Sequence, residues 1–313
     1  MKLSDLVSYR NQLNRFQLDD AIAKTDFDIN QIKHSISTSE FDPENFKNQI
    51  QDRQSAIHQT FKNFQALIEI IKERVDKEIS IKEKYWLDET YKLYSEAMIN
   101  DSDEHILNRR PVLSDDHDSI IRNRIASVTN SRLAGMIIRP GLETFIKNMV
   151  SFDPLYLVDK NENMLFPSTL DFPDLYQKRL RRYIVDEYDS APILDRLPNN
   201  QFAVCLAYNF FEFKPISVIE RYLTEIFDKL KPGGRLLMTF NDCDNEKAVK
   251  LAERYYACYT PGRMVKDIAE RVGYEIYFIW NNGGPSTWIE LEKPGTLTSL
   301  RGGQAFAKVV HKT

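Results

Sequence analysis

Glycine is missing from the first part of the chain. All 11 glycines lie at or after Gly135, and only Pro43 and Pro111 of the 13 prolines precede it. A region without glycine and almost without proline can hold long helices, whereas the remainder must turn often. Cysteine is scarce too: Cys205, Cys243 and Cys258 show no CxxC spacing. That odd count, with no secretory leader in the opening residues, leads to the expectation of reduced thiols in a cytoplasmic compartment. Four of the five histidines (His34, His58, His105 and His117) come early, and His311 sits near the end. No metal cage and no Cys/His or Ser/His nucleophilic site can be assembled from that distribution, so no catalytic residue is assigned. No stretch approaches the roughly 20 apolar residues of a membrane span.

An excess of one charge is also lacking. The chain has 42 basic and 46 acidic side chains, a formal charge of −4. No general field for a polyanion exists, and nucleic acid is not expected as a partner. The one local exception is Lys178-Arg179-Leu180-Arg181-Arg182, which reads either as a docking point for phosphates or as a solvated helix end. Up to Leu133 there are 19 basic and 23 acidic residues, and 23 of each beyond. The N-terminal part therefore carries the whole imbalance.

What is present first is helix. Leu3, Leu6, Leu13, Phe16 and Ile22 give a gapped apolar stripe within a segment of about Ser4 to Ile36. Asp42-Pro43-Glu44 supplies a cap, a first-turn proline and a first-turn acid. Phe46, Ile50, Ile57, Phe61, Phe64, Ile68, Ile71, Val75 and Ile79 then advance by threes and fours along one side of a helix of about ten turns. Tyr85, Tyr91, Tyr94 and Met98 continue that helix or begin another. Such a stripe must pack on the first helix, on a second copy of the chain or on a different protein. The spacing averages closer to 3.6 than 3.5, and Arg53 and Arg74 interrupt a heptad, so a hairpin or bundle is favoured over a long coiled coil. Residues 1–110 are read as this helical arm, with residues 43–98 the surface for self-association or a protein partner.

Residues 111–313 alternate instead. After a helix over Asp115–Asn130 with Ile121, Ile125 and Val128 inward, strands are expected at Leu133–Arg139, Leu155–Asp159, Tyr183–Asp186, Phe202–Tyr208, Arg235–Phe240, Glu275–Trp280 and Gln304–Val310. Trp288–Leu291 is a possible extra strand inside a long Gly-, Ser- and Trp-rich connection. Helices are expected at Leu142–Val150, near Asp174–Leu180, and at Ser217–Leu230, Glu246–Ala257 and Arg263–Val272. Strands alternating with helices specify a doubly wound, mostly parallel α/β sheet.

Within it, Tyr222–Asp242 reads as an apolar helix face, the breaker Pro232-Gly233-Gly234 and a two-sided apolar strand. Leu230-Lys231-Pro232-Gly233-Gly234 before such a strand resembles the turn preceding the fifth strand of class I S-adenosylmethionine methyltransferases. The order and spacing of elements from about Asp115 to Lys312 resemble that family as well. The resemblance implies a seven-stranded Rossmann-like sheet with an antiparallel last strand, S-adenosylmethionine as cofactor, and methyl transfer to an unnamed acceptor.

It also implies a site. The family's acid and glycine-rich turn after the first strand falls on Ile137-Ile138-Arg139-Pro140-Gly141-Leu142-Glu143. Gly141 matches the middle glycine, while Ile137, Arg139 and Glu143 replace the other defining residues. The ribose acid falls on Asp159, where a carboxylate serves either the ribose or the cap of the next helix. The adenine-reading acid falls on Asp186 or Glu187. Tyr208 and Asn209, opening Tyr208-Asn209-Phe210-Phe211, stand where the acceptor is faced, although both prolines of the amino-methylating motif are missing. An aromatic cluster packing the next helix is the other reading. The degenerate glycine turn leaves two functions open: a divergent methyltransferase, or a non-catalytic scaffold that binds partners through its arm.

Overall fold

The computed structural model of the chain describes residues 1–15, 43–99, 115–128, 133–140, 145–165, 172–187 and 192–297, with single positions between 24 and 34. Helix α1 spans Leu3–Arg15, α2 Pro43–Ile99 and α3 Asp115–Val128. The chain divides into two compact units, Met1–Tyr85 and Trp86–Thr313. That division falls inside α2, not at the polar linker near residue 110. The reason lies in the sequence of its last turns: Thr90 is buried there, and Tyr94 hydrogen-bonds to Glu187 of the sheet unit.

On α2 the anticipated stripe is only partly covered. Val75 and Ile79 are buried, whereas Phe64 is exposed. A second apolar stripe of Leu67, Ile70 and Ile81 lies on another side of the helix and is exposed as well.

The second unit is a seven-stranded sheet in the order β3-β2-β1-β4-β5-β7-β6. The strands are β1 (Ala134–Ile138), β2 (Leu155–Asp159), β3 (Leu180–Ile184), β4 (Phe202–Ala207), β5 (Leu230–Asn241), β6 (Glu275–Trp280) and β7 (Ser286–Glu292). β1 to β5 pair in parallel, and β7 runs antiparallel to both β5 and β6. Each central strand feeds two cores, as a sheet covered on both faces requires. Met136, Ile138, Leu236, Met238 and Phe240 face the side of the helices Ile216–Lys229 and Gly262–Val272. Ile137 and Leu237 face the side of α3, which brings Ile121 and Ile125.

Three departures from the sequence reading have local causes. β3 begins at Leu180, earlier than expected, and so takes Arg181 and Arg182 into a strand. They are not a solvated helix end; β3 is an edge of the sheet, where charged side chains are tolerated. Of the helix expected over Leu142–Val150, the described part holds a single 3-10 turn, Ile146–Met149. The chain there must cross tightly: Phe152 lies so close to the sheet that a Cβ on Gly135 would come within 2.7 Å of its ring. The seventh strand is Ser286–Glu292, anticipated only as an extra, and it closes a hairpin with β6. Of the connection expected to be long, the part before this strand is the short loop 281–285. Residues 304–310 lie outside the described residues.

The Pro-Gly-Gly stretch is part of β5. Gly233 takes a left-handed φ of 75° and donates its N–H to Lys293 O. A Cβ on Gly234 would sit 2.8 Å from the backbone oxygens of Lys231 and Phe202.

Candidate functional site

Open α/β sheets bind ligands outside the carboxyl ends of their strands, where the strand order reverses. Here that place lies between β1 and β4. Four chain segments converge on it: Ile138-Arg139 after β1, Asp159-Lys160 after β2, Val185 and Glu187 after β3, and Phe210 to Lys214 after β4.

Arg139, which the sequence resemblance sets at a glycine position, has a backbone of the kind glycine favours. Its φ is 52°, a left-handed value uncommon for a side chain of this size. Its N–H donates to Val158 O at 2.6 Å, and the residue is only 8% exposed. Asp159, buried at the end of β2, accepts the backbone N–H of Asn161 at 3.0 Å. It therefore caps the chain that enters α4 (Glu162–Leu165), as a carboxylate at a strand end is able to do.

Glu187 forms the centre. It is buried, and its carboxylate receives three hydrogen bonds: from Lys214 Nζ at 2.5 Å, from Tyr94 Oη at 3.3 Å, and from Tyr222 Oη. Burial pushes the Glu187 carboxyl up, but the Lys214 ammonium and the Lys214 and Tyr222 hydrogen bonds outweigh it and hold the group below the ordinary glutamate value. Burial also lowers Lys214, against the pull of Glu187. Tyr94 and Tyr222 are pushed upward by burial and by the same carboxylate, so both remain neutral donors. Lys214 lies over the rings of Phe210 and Tyr94, 4.8 Å and 5.2 Å from their centroids.

Among the described residues, the result is a filled site. About 10 Å³ of free space is left among these side chains, room for a single water. A second small recess beside β1, lined by Arg139, Phe145 and Tyr208, offers about 20 Å³.

Of the residues singled out in the sequence, Asp159 and Glu187 meet here. Tyr208 lies on the neighbouring recess, edge-on to Phe145 at 4.7 Å. Asn209 is buried with φ 51°, and its N–H donates to Thr239 Oγ1 at 2.8 Å, which fixes the turn after β4. Asp186 does not join them: it is exposed, because alternation along the chain leaving β3 turns Glu187 inward instead. Gly141 lies outside the described residues. Lys214, Tyr222 and Tyr94 had not been linked to the site. The signal for Lys214 was available, since a lone cation between Phe213 and Pro215 in an apolar stretch is buried only with a partner.

Among the described residues, no group of three or more His, Cys, Asp or Glu side chains could hold a metal ion. No helix among the described residues is long and apolar enough to cross a membrane.

The strand order, with one antiparallel strand inserted between β5 and β6, decides the architecture. It is the class I methyltransferase fold. No family model and no curated protein matches the sequence. Among solved structures, an S-adenosylmethionine-dependent methyltransferase from Mesorhizobium loti aligns with 56% of this chain and 96% of its own, at 12% identity and a TM-score of 0.45. Geranyl diphosphate C-methyltransferase from Streptomyces coelicolor aligns over 57% and 81%, at 8% identity and a TM-score of 0.45. A methyltransferase from Aquifex aeolicus aligns over 64% and 98%, at 14% identity and a TM-score of 0.40. Likeness at this level carries no argument about chemistry.

The family's cofactor can be tested against the residues present. Asp159 stands where the ribose acid belongs. Among the described residues, the Glu187–Lys214 pair and Tyr222 occupy the space beside it, and Arg139 adds a second buried cation. Asp159 thus suits the ribose of S-adenosylmethionine, whereas the buried cations beside it do not suit a sulfonium.

Proposed function

We propose that this protein uses the methyltransferase fold as a non-catalytic scaffold and its long helix as an assembly element. The observation that carries the reading is the buried Glu187–Lys214 ion pair, tied to Tyr222 and Tyr94, at the carboxyl ends of the strands. Any ligand needing that volume must separate the pair. Breaking a buried pair costs about 3–5 kcal/mol, which would weaken such a ligand roughly 10²- to 10⁴-fold. Titration calorimetry of the full chain with S-adenosylmethionine and S-adenosylhomocysteine is expected to give no saturable heat. Saturable binding of either would overturn the reading.

One observation favours a second reading, a divergent methyltransferase: Asp159 is kept, buried, at the end of β2. On that reading the cofactor binds, and Asp159→Ala lowers its affinity roughly tenfold to a hundredfold through loss of a charge-assisted hydrogen bond. The same titration on wild type and Asp159→Ala separates the two.

A further inference from the structure

We propose that the exposed stripe of α2 binds the same stripe of a second copy of this chain, antiparallel, about a two-fold axis at Asp76. Leu67, Ile70, Ile81 and Tyr85 are each between 50% and 58% exposed. At helical spacing they share one side of α2, apart from the side on which Val75 and Ile79 are buried. Exposed apolar side chains gathered on one side of a helix in this way mark an interaction surface.

The stripe is not uniform along its length. Its apolar ends are separated by Arg74 and Glu78, both exposed on the same side. Asp76 lies midway between Arg74 and Glu78 and between Leu67 and Tyr85, and the half-buried Ile71 at the margin of the stripe stands in the same relation to Ile81. Apart from Ile70, whose opposite number is Lys82, the stripe is therefore complementary to itself when reversed. An antiparallel copy centred at Asp76 sets Leu67 against Tyr85, Ile71 against Ile81, and each Arg74 against a Glu78. A parallel copy in register sets Arg74 against Arg74 and Glu78 against Glu78, which like-charge repulsion disfavours. Charges inside an apolar seam fix orientation and register in this way. The surface thus fits a second copy of this chain.

This inference rests on the reading of the long helix as an assembly element and is independent of the filled site. Calorimetry with the cofactor can therefore fail or succeed without bearing on it. The test is multi-angle light scattering of the full chain over a concentration series. A dimer is expected. Arg74→Glu and Glu78→Arg should each raise the dissociation constant at least ~10-fold, because each sets like charges together twice. Combining them should restore the dimer, and that restoration shows that the variants fold. The Leu67→Cys/Tyr85→Cys double variant should cross-link covalently under copper–phenanthroline, while neither single variant does. A monomer at every concentration would overturn the proposal and leave the stripe to a different partner. Cross-linking of the single variants, or no rescue by the charge exchange, would overturn the antiparallel arrangement.

Discussion

Glu187 and Lys214 face each other at 2.5 Å with side chains 2% and 4% exposed. They come from opposite halves of the sheet, Glu187 after β3 and Lys214 after β4, and meet across the carboxyl ends of β1 and β2. Lys214→Met should leave the carboxylate buried with two tyrosine hydroxyls and destabilise the fold by about 3–5 kcal/mol. Adding Glu187→Gln should recover most of that loss, since removing both charges of a buried pair is often nearly neutral. Urea unfolding with an unchanged slope measures both.

The same pair gives the protein an acid limb of stability. Glu187 is held below the ordinary glutamate value in the folded state, so in acid the unfolded chain binds the extra proton. Its contribution is present above about pH 4.3, the unperturbed value, and is lost as pH falls through the lower folded value. Lys214 is also lowered and acts at the alkaline end, where it leaves the acid limb unobscured. Glu187→Gln should flatten the decline of the thermal midpoint between pH 5 and 3.

The start of β5 allows no side chain at Gly234. A methyl group there would meet two backbone oxygens at 2.8 Å, and backbone held in the sheet cannot swing away as a side chain would. Gly234→Ala is expected to destabilise by about 1–3 kcal/mol, whereas Gly283→Ala, with nothing within 4 Å, should cost mainly its left-handed backbone preference. Comparing the two thermal midpoints tests the difference.

On the opposite face, Arg124 of α3 grips Glu290 of β7 with two hydrogen bonds, at 2.5 and 2.6 Å, and lies 4.1 Å from the centroid of the Phe278 ring. Glu290 is fully buried. Arg124→Ala should destabilise by about 1.5–3 kcal/mol, the range for a charged hydrogen-bonded group. Arg124→Lys should rescue little, because an ammonium cannot reproduce the planar two-point contact. Denaturant midpoints of the two variants decide it.

The architecture was legible because it rests on local signals. Ile121 and Ile125 at helical spacing, the apolar run at Leu236–Phe240, and Pro232-Gly233-Gly234 each declare their own structure. Ser286–Glu292 was harder. Its polar beginning, and the two glutamates buried on the α3 side, disguise a strand whose charges Arg124 and Arg235 meet from elsewhere in the fold. The site was half legible. Asp159 and Glu187 were found from their places after strands. The plug was not, because Tyr94, Lys214 and Tyr222 are distant from Glu187 in sequence and meet only once the crossovers are made. The loss of glycine at Arg139 was visible; that the backbone would still turn left-handed there was not.

Trp288 carries a practical consequence. It is one of three tryptophans, it is buried on β7, and its indole N–H donates to Glu290 at 3.0 Å, the same carboxylate that Arg124 holds. Trp86 and Trp280 are only half-buried. The fluorescence of Trp288 is therefore a natural gauge of whether α3 is seated. If α3 lifts off before the sheet melts, emission should shift to the red while circular dichroism still reports an intact fold, and the two signals would part along the unfolding curve.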